Sequence, residues 1–214
     1  HFQIMNESQC PVIIDSSKEL GWFFQVYNNC IKNNIDVEVI LVFKPFIRLY
    51  HSFKKRGLSD DKIQKQVQYY KEFLKLQIPY IPANLSDLTN GTEDALRRLC
   101  QLLEVPFFEG KQNFWVKNHL HLFGSQTTRS FLDSNDPKIL SHELTNDEMD
   151  KNHALMKSFK VDQIYTHLHG QNLKRTNESC RGKLIPINLY LFKRRNALRI
   201  KKFMAEKMGI FLYK

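Results

Sequence analysis

Between Cys10 and Phe53 the hydrophobic pattern changes period three times. Val12-Ile13-Ile14 is a short apolar run that stops at Asp15-Ser16-Ser17-Lys18, so it reads as a strand whose polar end feeds a helix N-cap. From Lys18 to Asn33, Leu20, Phe23, Phe24, Tyr27 and Ile31 recur at spacings of three and four, which predicts a helix with one apolar face and a stop at Asn33-Asn34. Val37 and the run Val39 to Phe43 are nearly continuous and largely β-branched, the pattern of a strand covered on both faces in a parallel sheet. Lys44-Pro45 follows, and Pro45 suits the first turn of the next helix. The order strand, helix, strand predicts adjacent parallel strands at Val12–Ile14 and Val37–Val42, joined by a right-handed crossover. The expected fold class is therefore α/β, with a parallel sheet flanked by helices.

Further along, Ser59 is placed to cap a helix in which Ile63, Val67, Tyr70, Phe73 and Leu74 keep helical spacing through Lys75, an outer packing helix. Ile78-Pro79-Tyr80-Ile81-Pro82 reads as a short edge strand, because proline is excluded from sheet interiors. A helix capped by Thr92 carries Leu96, Leu99, Cys100 and Leu103 on one face. From Asp136 to Asn177 the pattern weakens: Glu148 to Met156 suggests a short helix, and Val161 to His169 a strand or a helix. No chemistry is assigned there.

Ligands of such sheets bind beyond the carboxyl ends of the strands, here Asp15 to Lys18 and Phe43 to Ser52. A strand ending Asp-Ser-Ser-Lys, a helix, and a second strand running into a Pro-containing turn with a Ser seven residues on resemble the sulfotransferases that use 3′-phosphoadenosine-5′-phosphosulfate. That family has a P-loop NTPase-like α/β fold. It usually ends the second strand in Arg-Asp-Pro, and its Arg and a following Ser hold the 3′-phosphate. This chain reads Phe43-Lys44-Pro45-Phe46, then Arg48, His51 and Ser52. Pro45 matches, Ser52 falls one residue late with His51 in the strict position, and the Arg is absent. Lys44 or Arg48 would supply the charge, although a Lys lacks the bidentate grip of a guanidinium. Weak nucleotide binding, or none, is the expectation.

Two later stretches are similar to the same family. Asp87-Leu88, Ala95 to Cys100 and Leu103 to Phe107 follow the order of its Tyr-Glu-Asp-Leu segment, helix and Leu-Gly-Leu-Pro-like turn, with departures at Leu85, Ser86 and Glu104. Gly124, Ser125 and Arg129 resemble a loop that closes over the nucleotide, where Gly124 permits close backbone approach and the polar residues offer donors. A polar surface loop is the plainer alternative. The resemblance covers residues 10–130. The family's phosphosulfate loop would precede Val12, where His1 to Pro11 contain no Gly-rich turn and no Lys or Arg. The expectation is thus a sulfotransferase fold lacking its first strand and phosphosulfate loop, a fragment or truncated version over residues 1–180.

The resemblance implies transfer of a sulfuryl group from 3′-phosphoadenosine-5′-phosphosulfate, as co-substrate, to a hydroxyl or amine on a carbohydrate or similar small acceptor. Such a reaction needs a base for the acceptor and positive charge for the leaving phosphate. Asp15 is the candidate base and Lys18 the candidate charge. Ser17, Lys44, Arg48, His51, Ser52, Gly124, Ser125 and Arg129 are the candidate nucleotide contacts, with Lys18, Ser52 and Arg129 expected in one cleft. Helix capping is the alternative for Asp15 and Ser17. Residues 1–214 alone are expected to be inactive.

Charge modifies this picture at one end only. Of the net charge of +10, nine units belong to residues 181–214, which hold ten Lys and Arg against Glu206 alone. The near-neutral body disfavours nucleic acid as a partner. In the basic segment Ala197, Ile200, Met204, Met208 and Phe211 share a helical stripe, with Arg195, Arg199 and Lys202 pointing elsewhere. This supports the alternative function, a non-catalytic domain that binds a polyanion or an anionic membrane surface. The plainer alternative is a final helix packed on the core. A nucleotide kinase is disfavoured, because no Gly-x-x-x-x-Gly-Lys-Ser/Thr motif occurs.

No run of about 18 apolar residues is present, so no transmembrane span is expected. Cys10, Cys30, Cys100 and Cys180 contain no Cys-x-x-Cys pair, which argues against a cysteine-built zinc site and leaves free thiols and disulfides both open. Asn-x-Ser/Thr sequons at Asn6, Asn84, Asn90 and Asn177 lean toward a secretory lumen. His119-x-His121 and His167-x-His169 would each align two imidazoles on an extended strand, but neither has an acidic or Cys partner at a known spacing, so no metal is expected.

Overall fold

Leu20, Phe23, Phe24, Tyr27 and Ile31 do lie on one helix, α1 (Leu20–Lys32), with Phe24 and Tyr27 buried. It ends at Asn33-Asn34, where Asn34 takes a φ of 53°, a left-handed conformation that Asn tolerates better than most residues. The structure is a computed structural model and describes residues 12, 14, 15, 19–90, 92–110 and 145–185. The chain divides into two compact units, residues 1–37 with 182–214, and residues 38–181.

Within the first unit the buried Asn28 of α1 makes both amide bonds to one backbone position. Its Nδ2 donates to Ile185 O at 3.0 Å, and Ile185 N donates to its Oδ1 at 2.8 Å. The strand expected at Val12–Ile14 is not found among the described residues: Val12 and Ile14 lie outside any strand and are 58% and 89% exposed, and Ile13 is outside the described residues. The partner of the second predicted strand lies elsewhere.

In the second unit that strand is β1 (Ile40–Phe43), followed by α2 (Phe46–Lys55), α3 (Asp60–Leu74), β2 (Ile81–Asn84), α4 (Leu85–Asn90), α5 (Thr92–Leu102), α6 (Asn146–Phe159), α7 (Asp162–Gly170) and a 3-10 turn at Glu178–Cys180. β1 and β2 pair in parallel, Ile40 opposite Ile81 and Phe43 opposite Asn84, with α2 and α3 as the connection. The fold is α/β, with a two-stranded parallel sheet and seven α-helices among the described residues. Pro82 is tolerated because backbone groups alternate sides along a strand. Ile81 N donates toward β1, to Val39 O at 2.8 Å, whereas Pro82 faces the other edge and its carbonyl accepts from Leu173 N at 2.8 Å. Thr176 N bonds Tyr80 O on that same edge at 3.0 Å, so residues 173–176 close β2. Arg175 within this segment pairs with Glu38 at 2.6 Å and donates to the carbonyl of Leu102.

Tyr165 of α7 stands at the centre of an aromatic cluster, with ring centroids of Phe46 at 5.5 Å, Tyr70 at 6.3 Å and Phe43 at 6.4 Å. Its hydroxyl is buried without a hydrogen-bond partner, and burial pushes its pKa far up. A buried donor without a partner carries its desolvation cost uncompensated. Tyr165→Phe keeps the rings and removes that cost, so urea unfolding should show unchanged stability or a gain of about 1 kcal/mol. A loss of that size would mean that the hydroxyl is bonded.

Candidate functional site

Polar side chains gather just beyond the carboxyl ends of β1 and β2. Phe43, the last residue of β1, is 1% exposed and packs edge-on against His169, with centroids 5.1 Å apart. The next residue, Lys44, is half-buried. Burial lowers its pKa, and the nearby positive charge of Arg56 lowers it further. Pro45 then serves as the N-cap of α2 rather than lying within its first turn, and its carbonyl accepts from Arg48 N and Leu49 N at 3.0 and 3.1 Å.

α6 lies along α2 and engages its beginning. Ile47 N donates to Asn152 Oδ1 at 2.8 Å. The Arg48 guanidinium meets the Glu148 carboxylate through both of its oxygens, each at 3.3 Å. Glu148 also completes the capping box of α6, accepting from Thr145 N at 3.1 Å while Glu148 N donates to Thr145 Oγ1 at 3.3 Å. The Thr145 amide holds the Glu148 carboxyl below its ordinary pKa; burial opposes this and Arg48 adds to it. One turn on, the exposed His51 opens onto a shallow depression of about 400 Å³ lined by Ile47, Lys151, Ala154, Leu155 and Ser158. The Ser52 carbonyl accepts from Arg56 Nε at 3.0 Å.

At the end of β2 the polar groups satisfy one another. Asn84 is 7% exposed; its Nδ2 donates to Asp87 Oδ1 at 3.3 Å and its Oδ1 accepts from Ser86 N at 3.1 Å. Asn172 accepts from Asn84 N at 2.9 Å and donates to Asp87 Oδ2 at 2.5 Å. His169 lies nearby; burial lowers its pKa and the Asp87 charge opposes that shift. This network ties the chain after α7 to the strand end. It also closes one of the sequons, since a glycan on Asn84 would have to leave a buried nitrogen already bonded to Asp87. Asn177 Nδ2 is likewise engaged, by Ile78 O at 3.0 Å. Cys30 and Cys180 are free thiols.

The remaining sequence-derived candidates divide in two. Asp15 is exposed and accepts from Trp22 Nε1 at 3.0 Å, and the N-cap of α1 is Glu19 rather than Asp15 or Ser17. Ser17, Lys18, Gly124, Ser125, Arg129, His119, His121, Arg195, Arg199 and Lys202 lie outside the described residues, as does the expected meeting of Lys18, Ser52 and Arg129. His167 and His169 are two positions apart on α7, roughly 200° around a helix, so they do not share a side. His167 Nε2 is instead 2.9 Å from Tyr80 Oη. Among the described residues no helix is long and apolar enough to cross a membrane.

The sequence reading missed Glu148, Asn152, Asn172 and the role of Asn84. Thr145-x-x-Glu148 is a capping-box spacing that marks the start of α6, and it was the one local signal at hand. Compared with family models, curated proteins and solved structures, the chain matches none of them.

Proposed function

We propose that this chain carries a sulfotransferase-like domain of the P-loop NTPase type, and that the carboxyl end of β1 is its face for the 3′-phosphate of 3′-phosphoadenosine-5′-phosphosulfate. Lys44 carries this reading. It is a half-buried cation, with the Arg56 cation acting on it among the described residues, at the strand end where α/β sheets bind ligands. An anion placed there would relieve both the desolvation and the repulsion. In the reaction an acceptor hydroxyl or amine, on a carbohydrate in this proposal, gives its proton to a base as its bond to sulfur forms. The bond from sulfur to the co-substrate's phosphate breaks, and 3′-phosphoadenosine-5′-phosphate leaves.

Affinity should be low. The position at which the resemblance expects an Arg is Phe43, and its side chain is buried among rings rather than offered to a ligand. We expect calorimetric titration of residues 1–214 with 3′-phosphoadenosine-5′-phosphate to give a dissociation constant near millimolar, about −4 kcal/mol. Lys44→Ala should abolish it. Low-micromolar binding that Lys44→Ala leaves unchanged would overturn the assignment.

A further inference from the structure

We infer that α6 is a built-in competitor at this nucleotide face, with the Glu148 carboxylate seated on Arg48 where a ligand phosphate would go. The inference rests on the proposed function and adds a restraint to it. One helix supplies two acceptors to the first turn of α2: Asn152 Oδ1 takes the Ile47 amide at 2.8 Å, and Glu148 takes the Arg48 guanidinium with both oxygens at 3.3 Å. A planar guanidinium meets carboxylate and phosphate with the same fork, so the two anions compete for one group. Glu148 is held in place by its second task, accepting from Thr145 N at 3.1 Å. A phosphate that recruits Arg48 must therefore displace Glu148, and the Thr145 amide loses the carboxylate to which it donates when it does.

Glu148→Gln separates the two tasks. Gln still serves at this position of a capping box, but it removes the charge that holds Arg48. Titrated with 3′-phosphoadenosine-5′-phosphate, the variant should bind about tenfold to a hundredfold tighter than the parent chain, the equivalent of one charge-assisted hydrogen bond. Adding Arg48→Ala should cancel the gain. Equal, measurable affinity in parent and variant would overturn the competitor and leave the nucleotide reading standing. No binding by either would overturn both. A second readout needs no variant: saturating the parent chain with the same nucleotide should speed hydrogen exchange at the Thr145 amide, and unchanged exchange there in a chain that binds would also overturn the inference.

Discussion

Replacing Phe43 with Arg, the residue that the sulfotransferase resemblance places there, should lower stability by about 4 kcal/mol or more and give no gain in nucleotide affinity. The change looks like a repair in the sequence. In the structure Phe43 is 1% exposed and packs against Tyr165 and His169. Removing the ring alone costs about 3 to 5 kcal/mol, and a guanidinium without a carboxylate adds a desolvation cost. Chemical unfolding of the variant beside Phe43→Leu separates the lost packing from the buried charge. A stable Phe43→Arg protein that bound nucleotide tightly would show that the strand end can turn this position toward a ligand.

Arg175→Met should cost about 2 to 3 kcal/mol, although it removes one surface-proximal charge. Arg175 bonds Glu38 at 2.6 Å, lies 3.6 Å from Glu178, and donates to the Leu102 carbonyl at the end of α5. Helix-end carbonyls lack partners within their own helix, so the last contact is not replaced when Arg175 is lost. Glu38 keeps Arg181 at 2.8 Å, which limits the loss. The surrounding segment closes the outer edge of β2 through Leu173 and Thr176, so loosening it exposes strand backbone as well. Urea unfolding of Arg175→Met, Glu38→Gln and the double variant would show the coupling. A single-variant loss below about 0.5 kcal/mol would place Arg175 with ordinary surface ion pairs.

How far the sequence revealed this structure depended on how local each cause is. The apolar stripe of α1 is a property of thirteen consecutive residues, and the predicted and observed limits differ by at most two positions. The run Val39 to Phe43 showed a strand but not its surroundings. Leu41 and Phe43 are buried while Ile40 and Val42 are 39% and 50% exposed, so composition suggested cover on a face where the side chains remain partly open. Val161, Ile164, Tyr165 and Leu168 do have helical spacing, but α7 is only nine residues long and lies in the stretch where the pattern weakens, so strand and helix both stayed open. The site was harder. Arg48 and Glu148 are 100 residues apart, and no local pattern links them. The burial of Lys44 likewise depends on the folded chain and has no local signal in the sequence.

The most direct test of the central claim is a nitrogen-15 spectrum of the chain titrated with 3′-phosphoadenosine-5′-phosphate. If the carboxyl end of β1 is the phosphate face, the largest shifts among the described residues should fall on the amides of Lys44 and Phe46 to Ser52, and on the first turn of α6 as Glu148 gives way. Shifts centred elsewhere in the described residues, with Lys44 to Ser52 unmoved at saturation, would contradict it.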